Sequence, residues 1–376
     1  MIMNLQKKKI AIIGAGIAGL STAYNFKNSN DYEVTIFEKE NSLPDTGLGF
    51  LIMSNGMETF EKMGIDNVLR SNGTVINNYL SVDNHENRIK ESTLENCLAI
   101  SRSNCIQSVY DLLDSNSVQF GKELIDYTSN NNFGQHTLHF KDGSSFTADL
   151  LIGADGIHSK IRNKLYPNHE IRIVKEKEIV GVVKHPELAK KIGNTLLKVV
   201  NPLKGINMGL LPSLNGELIW YIQLNEDKIQ APENTPVALE QFCKRMTSEM
   251  PDDFKQAINA TDFETAYLWK MADVEIIPSF HKDGILLIGD AAHPVLAFTS
   301  QGVNSALEDS YLLANLLADG TNQDLKAAFD EFDKIRRPII SDTLEGGRQL
   351  LDQFLQPGKY NNIYIPFVDQ KFSFSK

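Results

Sequence analysis

The chain is short of cysteine, of basic charge and of long apolar runs, and each shortage excludes a class of protein. Its three cysteines, Cys97, Cys105 and Cys243, form no CxxC pair and are odd in number. A disulfide-stapled scaffold is excluded, and the expectation is reduced, structural thiols in a cytoplasmic protein. No stretch reaches the roughly 18 consecutive apolar residues of a membrane span. The opening MIMNLQKKK followed by IAIIGAGIAGL imitates a signal peptide, but glycines break its apolar part and a helical pattern follows. The reading is a soluble protein with no membrane partner. Lys and Arg number 37 against 48 Asp and Glu, a net charge of −11. That balance disfavours a nucleic-acid partner held through its phosphates. The eight histidines are scattered, without HxxxH or HExxH spacing, so no metal site is expected.

What is present is enough chain for two structural units: 376 residues, 42% of them hydrophobic. Residues 9–13 (KIAII) read as a short apolar strand, and 17–28 as a helix with Ile17, Leu20, Ala23 and Tyr24 on one face. EVTIF at 33–37 alternates and ends at Glu38. This strand–turn–helix–strand order opens a parallel sheet. A helix over 55–64 closes at Gly64, and another over 103–114 takes Ser103 as its N-cap. Residues 118–153 read as a small meander whose turn lies at 141–144 and whose last segment returns as a buried strand. From 171 to 274 long alternating segments predict an antiparallel sheet with helices near 235–259. GILLI at 284–288 is again a buried strand, followed by helices at 301–318 and 323–345.

The residues Gly14-Ala15-Gly16-Ile17-Ala18-Gly19 form GxGxxG between a strand and a helix. The first glycine permits the tight turn, the second lets a pyrophosphate approach the backbone, and the third lets helix and strand pack closely. The helix N-terminus adds unpaired N–H groups and a positive dipole end. Glu38, with Lys39 after it, stands at the end of the next strand, where a carboxylate can accept both hydroxyls of an adenosine ribose. These residues predict a dinucleotide and leave NAD and FAD open.

Two later segments narrow the choice. One runs Ala154-Asp155-Gly156-Ile157-His158-Ser159-Lys160-Ile161-Arg162. The other runs Gly289-Asp290-Ala291-Ala292-His293-Pro294 and continues to Ser300-Gln301-Gly302-Val303-Asn304. With these three ordered motifs the sequence resembles the single-component FAD-dependent aromatic hydroxylases, the family of p-hydroxybenzoate and salicylate hydroxylases, over roughly residues 1–345. The phrasing of 147–162 and 301–320 is similar to the tetracycline-inactivating monooxygenases.

The resemblance implies an α/β fold: a Rossmann-type FAD-binding domain with an inserted, mainly antiparallel β substrate domain and C-terminal helices. The FAD domain is expected over 1–75, 97–170 and 275–345, the substrate domain over 76–96 and 171–274, and a C-terminal tail or helix over 346–376. The cofactor is FAD, with NADPH or NADH as electron donor. The partners are O2 and a small aromatic or polyketide-like substrate, in a monomer or homodimer. In this reading the flavin forms a C4a-hydroperoxide that delivers one oxygen atom. The cofactor-binding residues expected are Gly14, Ala15, Gly16, Ala18, Gly19, Glu38, Lys39, Arg102, Asp155, Asp290, Gly302 and Val303. Asp290 is placed to accept from a ribityl hydroxyl, and the helix opening at Gln301-Gly302-Val303 faces its N–H groups to the flavin's pyrimidine edge. The resemblance carries Arg102 to the ribityl–phosphate region, and Asp155 and Arg162 to a segment touching FAD and NAD(P)H. It makes His293 structural. No residue is assigned to catalysis. Trp220, Tyr221 and Trp269 are core or pocket residues.

Three departures from the family pattern stand out. Ala297 replaces a proline, Ser300 replaces the first glycine of GQG, and Asp45 and Thr46 stand where many relatives carry an arginine before Gly47-Leu48-Gly49. The first two sit beside the flavin's reactive edge, where they imply altered oxygen activation or room for a bulkier substrate. A related reductase or epoxidase acting on an isoprenoid, and a flavin-sequestering protein without turnover, are the alternative readings.

Overall fold

The computed structural model describes residues 7–43, 49–130, 134–318 and 324–359. Strand Lys8–Ile13 lies at the centre of a six-stranded sheet, parallel to Tyr32–Phe37 on one side and to Leu150–Gly153 on the other. Ile285–Leu287 extends it on one flank and Val118–Gln119 on the other, both parallel, and the short His281–Lys282 closes one edge antiparallel. Ile10, Ile12, Leu151, Leu286 and Leu287 are fully buried. Covered on both faces, such strands are apolar throughout, which is why KIAII, LLIG and GILLI look alike in sequence. Helices Ile17–Phe26 and Gln301–Ala318 pack together against this sheet.

The expected meander divides. Leu124–Ser129, His136–Phe140 and Ser145–Ala148 form a three-stranded sheet, while Leu150–Gly153 leaves it for the parallel sheet. Asp149 is the pivot: its backbone N–H donates to Lys9 O and its carboxylate accepts from Lys9 N, each at 2.8 Å. Phe140 and Phe146 of the small sheet lie against Phe37, with ring centroids 4.7 and 4.9 Å away.

The strand-rich middle becomes an eight-stranded sheet in the order Tyr267–Val274, Ile171–Lys184, Glu217–Asn225, Ile206–Pro212, Thr195–Asn201, Thr74–Val82, Arg88–Ser101, Gly49–Ile52. Every pairing is antiparallel except that of Thr195–Asn201 with Thr74–Val82. Helices Pro186–Ile192, Pro236–Thr247 and Asp252–Asn259 cover one face, packed on Met208, Trp220, Ile222 and Leu224. On the other face Tyr79, Leu196, Leu211 and Ile219 cluster with Met53, and Met271 meets Leu296 and Leu351.

The helix read at 17–28 ends at Phe26, and two other helices differ more from the sequence reading. The helix expected at 103–114 is Arg102–Tyr110, and its N-cap is Ser101, whose hydroxyl accepts from Asn104 N at 3.1 Å. Ser103 sits inside the first turn and shares a hydrogen bond with Ser101 instead. Strand Arg88–Ser101 thus hands directly into a helix of the parallel-sheet half, and Arg102 stands at the junction. The last helix runs from Leu325 to Leu355, through Pro338, rather than ending at 345.

Candidate functional site

The dinucleotide turn has the geometry its glycines imply. Gly14 has φ +107°, and a Cβ there would lie 2.4 Å from Ala154 O, so no other residue fits. A Cβ on Gly19 would lie 2.0 Å from Gly14 O, which is the close approach of helix to strand. Gly16 differs. It precedes helix Ile17–Phe26 with no side-chain cap, and a Cβ on it would meet nothing within 4 Å. The uncapped helix start therefore borders open room of the kind a pyrophosphate fills. Glu38 stands at the lip of the turn, accepting from Ala15 N at 2.8 Å and from Glu40 N at 3.0 Å. Ala18 is a packing residue, the nearest atom to a Cβ built on Gly289. Lys39 is exposed and pairs with Glu40 at 3.7 Å.

Gly289 turns the chain from strand Ile285–Leu287 toward this same helix and presents Asp290. Asp290 keeps solvent access, while the surrounding protein displaces part of its hydration. That surrounding raises its carboxyl above the usual range, opposed by His293, Arg102 and Arg162. Gly302 faces it: Asp290 Oδ1 would lie 4.0 Å from a Cβ there. Val303 is half-buried in the first turn of Gln301–Ala318. Arg102 approaches from the sheet junction, and its charge acts on both Asp290 and Tyr267.

Asp155 and Arg162 both bond to the backbone around the site. Asp155 lies beside Gly14, but its Oδ2 accepts from Lys160 N at 2.8 Å and Ile161 N at 3.4 Å, so it anchors helix Lys160–Leu165. Its Oδ1 is buried without a partner. Arg162 is fully buried, donating to Asp290 O at 3.0 Å, Ala291 O at 3.1 Å and Ile157 O. Its Nη1 holds the backbone that carries Asp290, while its Nε is buried without a partner.

Sequence reasoning missed the network beneath this turn. Asp309 Oδ2 accepts from Gly289 N at 2.8 Å and bonds His293 Nε2 at 2.7 Å, while Oδ1 accepts from Arg336 Nε at 2.7 Å. Arg336 also donates to Glu308 at 2.8 Å and to Ser305 O at 3.2 Å. His293, Asp309 and Arg336 are all buried, so His293 is a fixed support of the Asp290 turn. The partners of Asp309 lie 16, 20 and 27 residues away along the chain, so no local motif encodes them. Asn304 performs a similar task for Gly49–Ile52, accepting from Met53 N at 3.0 Å and donating to Leu51 O at 3.3 Å.

The loop departures now have a geometry. Ser300 has φ +53°, a left-handed conformation in which glycine is relaxed and serine is strained. Its hydroxyl caps nothing among the described residues; Thr299 Oγ1 accepts from Gln301 N at 3.3 Å instead. Ala297 opens a short 3-10 turn after Leu296 at ψ 141°, and its N–H serves no described acceptor. A proline fits such a position without losing a bond. Ala297→Pro and Ser300→Gly should therefore each stabilise the protein by about 0.5–1 kcal/mol, read from urea unfolding midpoints. Unchanged midpoints would mean the loop absorbs both residues without strain. Asp45, Thr46, Gly47 and Leu48 lie outside the described residues.

Of the aromatic candidates, Trp220 is fully buried under the covering helices and belongs to the core. Tyr221, its neighbour, points to the opposite face, where its ring lies over Gly209. Trp269 is 37% exposed. Cys97, Cys105 and Cys243 are buried free thiols. Among the described residues no helix is long and apolar enough to cross a membrane.

A family model described as an FAD binding domain matches residues 7–346. Among curated proteins, Monooxygenase 1 of Arabidopsis thaliana is 24% identical over 356 residues, covering 87% of this chain and 86% of its own length. Klebsiella pneumoniae HpxO, solved with FAD and uric acid, superposes with a TM-score of 0.85 at 22% identity, covering 94% of this chain and 90% of its own. The tetracycline destructase Tet(51) superposes at 0.70 and 19% identity, covering 93% and 92%. The shared fold is the one the three sequence motifs implied.

Proposed function

The chain belongs to the family of the FAD binding domain, and from that premise we propose that it is an FAD-dependent, NAD(P)H-consuming monooxygenase that inserts one oxygen atom from O2 into a small aromatic or polyketide-like molecule. The observation that carries this reading is the junction itself. The open N-terminus at Gly16, the solvent-accessible Asp290 and the helix start at Gly302 lie around one region, and Arg102 connects that region to the Tyr267 face of the large sheet.

Each group has a task. Gly16 and the helix behind it hold the pyrophosphate, and Glu38 holds the adenosine ribose. Asp290 accepts from the ribityl chain, kept in place by Asp309 and Arg162. The N–H groups at Gly302 and Val303 hold negative charge at the ring's pyrimidine edge. FAD, when bound, supplies electron storage and oxygen activation. The sheet face built from 171–274 and 76–96 encloses the substrate and excludes water. Only one GxGxxG turn occurs in the chain, so the nicotinamide donor visits rather than resides.

Purified protein should be yellow and release FAD, not FMN, on denaturation. Glu38→Ala should weaken FAD binding by about 1–3 kcal/mol, measured by fluorescence titration of the stripped protein. A colourless protein that takes up no FAD on reconstitution contradicts the reading.

A further inference from the structure

The face of the large sheet that looks toward Arg102 carries charge where a core would carry hydrocarbon. Glu178 pairs across strands with Gln223, and Glu176 with Asn225. Lys198 lies in the row of Gly209 and Tyr221, on the same face. Its side chain reaches past the Tyr221 ring, and Nζ donates to Gln223 Oε1 at 3.1 Å. It forms no ion pair with Glu176 or Glu178 among the described residues. Both oxygens of the fully buried Glu176 lack a hydrogen-bond partner.

Such a cluster is expensive as mere structure, because burying a charge costs several kcal/mol unless it is paired. The opposite face solves the packing problem with Ile179, Trp220 and Ile222. Burial raises the Glu178 carboxyl to about 7 and lowers the Lys198 ammonium to about 8, so neither is fully compensated by protein. Lys198 nevertheless keeps partial solvent access on this face, so its ammonium can be reached from outside the sheet. Tyr267 joins the two regions: it is opposite Val180, and it feels both Arg102 and Glu178.

We propose that Lys198 and Glu178 are the specificity pair of the substrate site, and that the substrate is an aromatic heterocycle with a cyclic amide edge. Its carbonyl oxygen accepts from the Lys198 ammonium and its ring N–H donates to the Glu178 carboxylate, with Gln223 holding the ammonium between them. This rests on the monooxygenase reading and goes beyond it by naming the substrate's recognition edge. A site built to bond a donor and an acceptor rejects a ligand lacking either, because its own buried groups are then left unpaired.

The test uses the FAD-loaded protein and three bicyclic probes: 2-quinolone, N-methyl-2-quinolone and 2-naphthol. Binding is read from the change in flavin absorbance. The expected result is that 2-quinolone binds about tenfold or more tightly than either other probe. Lys198→Met and Glu178→Leu should each abolish that preference while leaving FAD content per protein unchanged, and Lys198→Arg should restore part of it. Equal binding of the three probes, binding of none, or a preference that survives both substitutions overturns the inference while the flavoprotein reading stands. Failure of the wild-type protein to hold FAD overturns that reading itself.

Discussion

Asp309→Ala should cost the protein about 3–5 kcal/mol of stability, a large part of the ~5–15 kcal/mol that holds a typical domain folded. Asp309 and Arg336 are sequestered from solvent together. Removing the carboxylate leaves the guanidinium with Glu308 and Ser305 O alone, and orphans Gly289 N and His293 Nε2. The acid behaviour gives a second check. Burial pushes the Asp309 carboxyl up, but the His293 ring and the Arg336 guanidinium overcome it and hold it down to about 2. A group with a depressed folded-state value stabilises fully above its unfolded value near ~3.9 and loses that contribution as pH falls through the folded one. The gap between wild type and variant in urea unfolding should therefore close as pH drops from about 4 toward 2. A penalty below ~1 kcal/mol at neutral pH would show that the cluster is not a coupled unit. Because Gly289 hangs from Asp309, Asp309→Asn should also lower FAD affinity even where it folds.

Gly16→Val should leave the fold intact and empty the cofactor site. Gly16 has φ −77° and ψ −179°, ordinary extended backbone, and its missing Cβ faces open room. Apo stability should change by no more than about 0.5 kcal/mol, the range of substitutions that touch nothing. FAD affinity should fall about a hundredfold or more, since two valine methyls occupy the approach to the helix N–H groups. Gly14→Val provides the contrast: with φ +107° and Ala154 O only 2.4 Å from the new Cβ, it should fail to fold. If Gly16→Val retains FAD at wild-type affinity, the pyrophosphate lies elsewhere.

The parts legible in sequence were those whose chemistry is local. GxGxxG, the Asp290 turn and the helix start at Gln301 each occupy a few consecutive residues, so their turns and N–H groups follow from glycine placement and strand–helix order. What escaped was decided by residues far apart. Asp155 and Arg162 form a motif in sequence, yet Arg162 is claimed by the carbonyls of Asp290 and Ala291, 128 and 129 residues on. Trp220 and Tyr221 are neighbours on one strand and face opposite ways. Alternation says that they differ, but only the helices at Pro236–Thr247 and Asp252–Asn259 decide which one is core. The parallel join of Thr74–Val82 to Thr195–Asn201 has no local signal either. The cap read at Ser103 falls instead to Ser101, because strand Arg88–Ser101 ends there and the helix begins at Arg102.

The central claim is that this chain transfers an oxygen atom from O2, and isotope labelling tests it most directly. FAD-loaded protein is given NADPH or NADH and a pooled set of phenols, polyketides and quinolones under ¹⁸O2, and products are weighed by mass spectrometry. The expected product carries one labelled oxygen atom and forms only when FAD, a nicotinamide donor and O2 are all present. An oxidised product whose added oxygen comes from water, or nicotinamide oxidation that never labels any member of the pool, would contradict the claim.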